Sequence, residues 1–210
     1  MANNRTITFY HSPNTRSVGT FILLEELGAP FTLKALNMKA GEQRQPDFLA
    51  INPMGKVPAI THGDALITEQ IAIFTYLADL FPQAQLAPAL DDPQRGPYLR
   101  WMAFYAGCFE PAVVDRALQR EPGSTQMVPY GDYDTMLQTL VAQLAKGPYL
   151  LGEKISAADI LWGTALSWTT RFKLVPELPE IVAYIQRIDS RPSVARVRAK
   201  DAELLAAWAQ

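Results

Sequence analysis

One cysteine and two histidines are all that the 210 residues offer to sulfur and imidazole chemistry. Cys108 cannot close an intrachain disulfide or form a Cys-x-x-Cys redox pair, and its isolation fits a reducing compartment. His11 and His62 are too few for a metal-ligand cluster, so no metal is expected. No run reaches the ~18 apolar residues of a membrane span. The opening Met1-Ala-Asn-Asn-Arg-Thr6 is polar, without the apolar core of a signal peptide. These absences predict a cytoplasmic protein with no membrane partner. A formal charge of −2 and a pI near 5.7 leave no basic footprint for nucleic acid.

What is present concentrates in Asn52 to Ile73, which reads as strand, turn, strand and helix start. Pro58 sits in a β-like run, where proline donates no ladder hydrogen bond. Two readings fit it. Either Pro58 is a trans edge proline, or Val57–Pro58 is cis and turns the polar backbone of Val57 outward toward an extended peptide-like ligand. Gly63-Asp64 signals a hairpin. Thr68-Glu69-Gln70 leads into Ile71–Phe81, apolar at helical spacing. Glu69 lies at that helix start, either as an offset to the dipole or as a partner for a ligand ammonium.

Elsewhere, Thr6–Tyr10 alternates as a strand, Ser17–Leu27 is an apolar-periodic helix stopped by Gly28, and Phe31–Leu36 reads as a second strand. Residues 82–93 are rich in proline and alanine and suit a linker between an α/β part (1–81) and an all-helical part (94–210). In the latter, Gln94–Gln119, Tyr130–Lys146, Ala157–Phe172, Leu178–Ser190 and Pro192–Ala209 carry helical periodicity. Ser156-Ala-Ala-Asp159 is a capping-box variant, and Pro111 predicts a kink or an end in its helix. Ser12 follows the first strand and precedes the first helix. It reads either as an N-cap with Pro13 at N1 or as a hydroxyl aimed at a ligand beside free helix amides.

Taken together, Phe9-Tyr-His-Ser-Pro-Asn-Thr-Arg-Ser-Val18, Leu23-Leu-Glu-Glu-Leu-Gly28, Gly41–Pro53 and the Val57-Pro58 segment resemble the cytosolic glutathione transferases, closest to the bacterial, theta-like and delta-like serine classes. The likeness runs over essentially the whole chain and is most specific in the N-terminal half. It implies a thioredoxin-like N-terminal domain, an all-α C-terminal domain, a homodimer, and glutathione as co-substrate in a detoxification-type transferase acting on a small apolar electrophile.

Carried over residue by residue, the resemblance makes Ser12, four residues before Arg16, the hydroxyl that stabilises the glutathione thiolate. Thr15 and Ser17 are secondary hydroxyls, Tyr10 falls where tyrosine-class enzymes carry their phenol, and Arg16 stands at the helix start. Gln43 replaces the family's histidine for the glycyl carboxylate, so Lys56, Lys39 or Arg44 would supply the cation. A second histidine is replaced by Gly55. Val57 and Pro58 hold the cysteinyl unit, while Glu69 and Gln70 stand where the family's Glu-Ser pair grips the γ-glutamyl group. Trp101, Tyr105 and Phe109, at i, i+4 and i+8, read either as bundle core or as the electrophile wall. Alternatives in other classes are a non-catalytic binding or regulatory protein of the same fold and a glutathione-dependent isomerase, dehalogenase or peroxidase.

Overall fold

The alternation of Ile7, Phe9 and His11 with Thr8 and Tyr10 makes β1 (Ile7–His11) a strand with one face wholly buried and the other half-covered. The computed structural model describes residues 6–121 and 123–209, so the polar opening Met1–Arg5 lies outside the described residues. β1 pairs in parallel with β2 (Phe31–Ala35) and antiparallel with β3 (Ala59–His62), and β3 pairs antiparallel with β4 (Ala65–Ile67). The sheet order is β2-β1-β3-β4, the mixed four-stranded sheet of a thioredoxin-like domain.

The crossover from β1 to β2 is α1 (Ser17–Leu27), whose Phe21, Leu23, Leu24 and Leu27 are buried. It ends because Gly28 takes φ 60°. The Gly28 and Ala29 N–H groups then return to the Glu25 and Leu24 carbonyls, a Schellman closure. After β4, α3 (Gln70–Leu80) buries Ile73, Phe74 and Leu77 completely.

Between β2 and β3, where sequence alone reads a loop, the chain forms a 3₁₀ turn (Glu42–Arg44) and a one-turn helix, α2 (Pro46–Leu49). Pro46 at its start has the φ a helix needs. Buried Phe48 anchors it, its ring 5.5 Å from that of Tyr10.

The chain divides into two compact units, Met1–Ala84 with Arg191–Gln210, and Gln85–Ser190. The last helix, α9 (Pro192–Trp208), therefore packs with the sheet-bearing unit, which differs from the contiguous division read from periodicity. Specific contacts explain this. Glu26 on α1 accepts from Arg191 Nε and Nη2 at 2.7 and 2.6 Å and from the Ser193 hydroxyl, and Glu25 accepts from Arg196 at 2.7 Å. Val194 and Val197 are buried on the same helix.

The second unit holds α4 (Arg95–Phe104), a π-helical turn (Tyr105–Phe109), α5 (Glu110–Ala117), α6 (Tyr133–Leu144), α7 (Ala157–Arg171) and α8 (Pro179–Asp189). Pro111 does not end its helix. It falls in the first turn of α5, right after the π turn, where the wider loop absorbs the amide that proline lacks. Gly163 lets α7 approach α8, since a Cβ there would lie 2.4 Å from Ile188.

Asp159 completes the capping box and does more. Its carboxylate accepts from the Ser156 N–H and hydroxyl at 2.8 and 2.7 Å, from the Leu150 N–H at 2.8 Å and from the Tyr184 hydroxyl at 2.8 Å. Burial pushes its pKa up against these donors. No helix among the described residues is long and apolar enough to cross a membrane.

Two outcomes are expected in denaturant melts. Ser156→Ala removes one cap and lowers stability by on the order of 1 kcal/mol, whereas Asp159→Ala leaves buried donors unpaired and lowers it by about 3 kcal/mol or more. Equal losses would contradict the hub role of Asp159. At Glu26, burial raises the pKa, but the hydrogen bonds of Arg191 and Ser193 and the charges of Arg191 and Arg196 outweigh it, and the net shift is downward. A carboxylate lowered on folding stabilises above its unfolded pKa and loses that effect as pH falls through its folded pKa. The stability advantage of wild type over Glu26→Gln, on the order of 1–2 kcal/mol at pH 6–7, should therefore shrink as pH falls through the ordinary carboxylate range and be gone only below the lowered folded pKa of Glu26. A difference independent of pH would rule out the ion pair as its source.

Candidate active site

The register of the sheet brings three loops to one end. β1 runs toward that end and finishes at His11, while Tyr10 stands opposite Ala59, the first residue of β3, and Ile60 opposite Ile67, the last of β4. The turn after β1, the Val57–Pro58 segment before β3 and the Glu69 corner after β4 are therefore neighbours.

The first turn, residues 12–16, lies between β1 and α1. Ser12 is not the N-cap of α1, because four residues separate it from Ser17 and Asn14 breaks the path with φ 59°. Thr15 caps instead. Its Oγ1 accepts from the Ser17 N–H at 3.2 Å, and its carbonyl accepts from the Val18 N–H at 3.1 Å. The first amides of α1 are thus occupied, so the helix start contributes less to a ligand than sequence spacing suggests.

The hydroxyls of this turn divide sharply. Thr15 Oγ1 donates to the Ser12 carbonyl at 2.7 Å and lies 2.7 Å from Ser17 Oγ. Ser17 Oγ sits 2.8 Å from His11 Nδ1 and accepts from the Ser12 N–H at 3.1 Å. Ser12 itself is 2 % exposed, held through its backbone, and its hydroxyl has no partner among the described residues. Tyr10, on the other face of β1, sets its ring at 50° to that of Phe48, and its hydroxyl has no hydrogen-bond partner among the described residues.

The second loop is organised by Asn52, 4 % exposed, which the sequence reading did not single out. Its Nδ2 donates to the Lys56 carbonyl at 2.8 Å, its Oδ1 accepts from the Met54 N–H at 3.1 Å, and its carbonyl accepts from the Gly55 N–H at 2.8 Å. An asparagine before a Pro-x-Gly turn is the signal that would have found it. Val57–Pro58 is cis. Val57 lies outside the ladder register, and among the described residues nothing pairs with its N–H or C=O.

Gly55 is required on two counts. Its φ is 59°, and a Cβ there would meet Arg44 Nη1 and the Gln43 carbonyl oxygen, each at 2.8 Å. The Arg44 guanidinium lies across this glycine and donates to the Met54 carbonyl at 3.3 Å. Lys39 and Lys56 are exposed. Gln43 keeps a buried Oε1 without a partner.

At the third corner Glu69 has φ 63° and ψ 118°, a sparsely populated backbone for a residue other than glycine, and it is exposed at the start of α3. Such strain, on the order of 1–3 kcal/mol, clusters at ligand-holding positions. Gln70 Nε2 donates to the Arg16 carbonyl at 3.1 Å, joining the first and third loops, and its Oε1 is buried and unpartnered.

In the second unit, Trp101, Tyr105 and Phe109 are 2, 3 and 0 % exposed. Their ring centroids lie 5.9, 5.4 and 4.9 Å from that of Trp162, whose Nε1 donates to the Trp101 carbonyl at 3.0 Å. The aromatic face read from periodicity is the half of the helix turned into its own unit. Among the described residues no group of three His, Cys, Asp or Glu could hold a metal ion.

Comparison with known proteins gives a consistent picture. Residues 5–79 match the family described as glutathione S-transferase, N-terminal domain, and residues 131–192 match its C-terminal domain. The glutathione S-transferase GstA of Escherichia coli O157:H7 is 30 % identical over 188 residues, covering 88 % of this chain and 94 % of the relative. A glutathione transferase from Methylococcus capsulatus superposes with a TM-score of 0.79 at 30 % identity, covering 93 % of this chain and 98 % of that one. A homologue from Sulfitobacter, solved with bound glutathione, superposes with a TM-score of 0.75 at 28 % identity, covering 93 % and 98 %. With a mixed four-stranded sheet, a following helical unit and relatives matched along nearly their whole length, the chain belongs to the glutathione S-transferase family.

Proposed function

We propose that this transferase uses Ser12 to hold the glutathione thiol as a thiolate for attack on a small apolar electrophile, as in the theta-like and delta-like serine types of bacterial enzymes. The observation that carries this is the hydroxyl inventory of the first turn. Thr15 and Ser17 are engaged within the protein, while Ser12 is fixed through its backbone with its hydroxyl unpartnered.

The demand on that hydroxyl is modest. A cysteine thiol with pKa near ~8.5 is ionised to a few per cent at neutral pH, and lowering it by ~1.5 units, or ~2 kcal/mol, ionises about half. One hydrogen bond to an anion supplies ~1.5–3 kcal/mol. The thiol proton leaves to solvent, the Ser12 O–H donates to sulfur, and the sulfur lone pair forms the new C–S bond while the bond from that carbon to its leaving group breaks, the leaving group departing to solvent with the bonding pair.

Around this sulfur, the free backbone of Val57 pairs with the cysteinyl unit in a short β-augmentation. Glu69 takes the α-ammonium, and the Gln70 Oε1 offers a second acceptor. Gln43 and a cation serve the glycyl carboxylate. Arg44 is the best placed cation, since its guanidinium already lies against Gly55, with Lys56 and Lys39 in reserve. Trp101, Tyr105 and Phe109, packed around Trp162, are the residues the family likeness assigns to the electrophile. A homodimer in the cytoplasm belongs to the same reading, supported by exposed Met54 and Leu66 at 66 and 44 %.

Two measurements test this. Ultraviolet titration of the thiolate in the glutathione complex should show Ser12→Ala moving the transition up by about 1 to 1.5 units, with kcat/KM near pH 6.5 falling by on the order of tenfold or more. Thr15→Ala, which loosens the Ser12 carbonyl without removing the Ser12 hydroxyl, should move the thiolate transition by less than Ser12→Ala does, and a collapse there with Ser12→Ala unaffected would transfer the role. Separately, Arg44→Ala should raise the KM for glutathione by about tenfold with kcat little changed, the pattern of a uniform binding contact. If only Lys56→Ala does so, Lys56 is the cation.

A further inference from the structure

Behind Ser12 stands a buried chain of polar groups that the functional reading has not used. His11 and Ser17 are both fully buried, and the Asp201 side chain is 14 % exposed. Asp201 Oδ1 lies 2.8 Å from His11 Nε2, and His11 Nδ1 lies 2.8 Å from Ser17 Oγ. The Phe9 and Phe21 rings close on the imidazole at 5.4 and 5.1 Å. Asp, His and Ser are thus hydrogen-bonded in series, yet Ser17 is sealed from any substrate, so a nucleophilic role is excluded.

Proton counting shows what the series does. A carboxylate only accepts, so Nε2 of His11 carries a proton, and in the neutral ring Nδ1 accepts from the Ser17 hydroxyl. The Ser17 proton thus has two acceptors, His11 Nδ1 at 2.8 Å and the Ser12 carbonyl at 3.1 Å, and the lone pairs of the hydroxyl are left for donors. The Ser12 N–H takes one at 3.1 Å. The Ser12 carbonyl is held in turn by the Thr15 hydroxyl at 2.7 Å. Both polar backbone groups of Ser12 are therefore clamped, from the same cluster, while its side chain stays unpartnered.

We propose that Asp201, His11 and Ser17 are positioning residues for Ser12, fixing its backbone so that the hydroxyl points at the glutathione sulfur, and that α9 is in this way part of the catalytic apparatus. The inference rests on Ser12 being the thiolate donor. Asp201 sets the tautomer of His11. An asparagine there keeps the shape but lets the ring turn its protons round, which frees Ser17 to donate elsewhere, as an Asp→Asn change does in a catalytic triad.

The test uses the full-length protein with glutathione and compares wild type, Ser17→Ala, Asp201→Asn and Arg196→Ala. Arg196 reaches α1 through Glu25 and serves as the control for docking of α9 alone. Ser17→Ala should raise the thiolate transition of bound glutathione by about one unit and lower kcat by about tenfold with KM for glutathione little changed. Asp201→Asn should move both in the same direction by less, and Arg196→Ala should move neither. If Ser17→Ala and Asp201→Asn lower the melting temperature but leave the thiolate transition and kcat at wild-type values, the series is a structural staple and the proposal falls. Because Asp201→Asn is isosteric and partly exposed, it keeps the test open even where Ser17→Ala folds poorly. A wild type that binds glutathione without any thiolate band would instead overturn the Ser12 reading itself.

Discussion

The Ser17 hydroxyl has one proton and two lone pairs, and four polar groups converge on it: His11 Nδ1, the Ser12 N–H, the Ser12 carbonyl and Thr15 Oγ1. A buried hydroxyl cannot satisfy four partners at once, so the partners must share the remaining protons among themselves. They do, with Thr15 donating to the Ser12 carbonyl and the Ser17 N–H donating to Thr15. The end of β1, the turn, the start of α1 and, through His11 and Asp201, the last helix all meet at this one oxygen. If any of them shifts, a buried polar group loses its partner, at about 1–3 kcal/mol each. The shape of the 12–16 turn is over-determined for that reason.

An over-determined turn lets one side chain go unused. Around the sheet end, groups without partners among the described residues include the Ser12 and Tyr10 hydroxyls, the Val57 backbone and the Oε1 atoms of Gln43 and Gln70, while Thr15, Ser17, Asn52 and the Gln70 amide nitrogen are all engaged. The free set mixes donor hydroxyls, a strand-like backbone and amide acceptors. That is the inventory suited to a peptide with a thiol in its middle. The engaged set explains why the loops carrying the free groups do not collapse onto them.

Much of this was legible in the sequence. Period and punctuation mark α1 to the residue, with Gly28 as its stop, and place β4 and the helices of the second unit within a few residues. Ser156-Ala-Ala-Asp159 announces its own cap. What sequence could not show depends on distance along the chain. Whether Ser12 caps α1 or stands free is undecided locally, because the deciding group is Thr15, whose hydroxyl captures the helix amide. The partner of His11 lies 190 positions away on α9, beyond any local pattern. The stripe of Trp101, Tyr105 and Phe109 has the same spacing whether it faces a ligand or a core, and only the position of Trp162 shows which way it turns. Gly55 reads as a lost histidine until the Arg44 guanidinium is seen lying against it.

The return of α9 to the first unit looks expensive, since its contacts with α1 and β1 span 165 to 190 residues. Loop-closure entropy argues otherwise, because each doubling of a loop adds only about 0.6 kcal/mol. Against that small increment stand a bidentate arginine–carboxylate pair at Glu26, two buried valines and the Asp201–His11 bond. The intervening residues 85–190 also form a compact unit of their own, which shortens the effective loop well below its residue count. Long-range closure is therefore the inexpensive part of the arrangement. The demanding part is local: Glu25 and Glu26 must sit at the partly covered edge of α1 while Leu23, Leu24 and Leu27 are buried. Because α1 is buried nearly all round, Glu25 and Glu26 near its C-terminal end are the side chains left to meet α9.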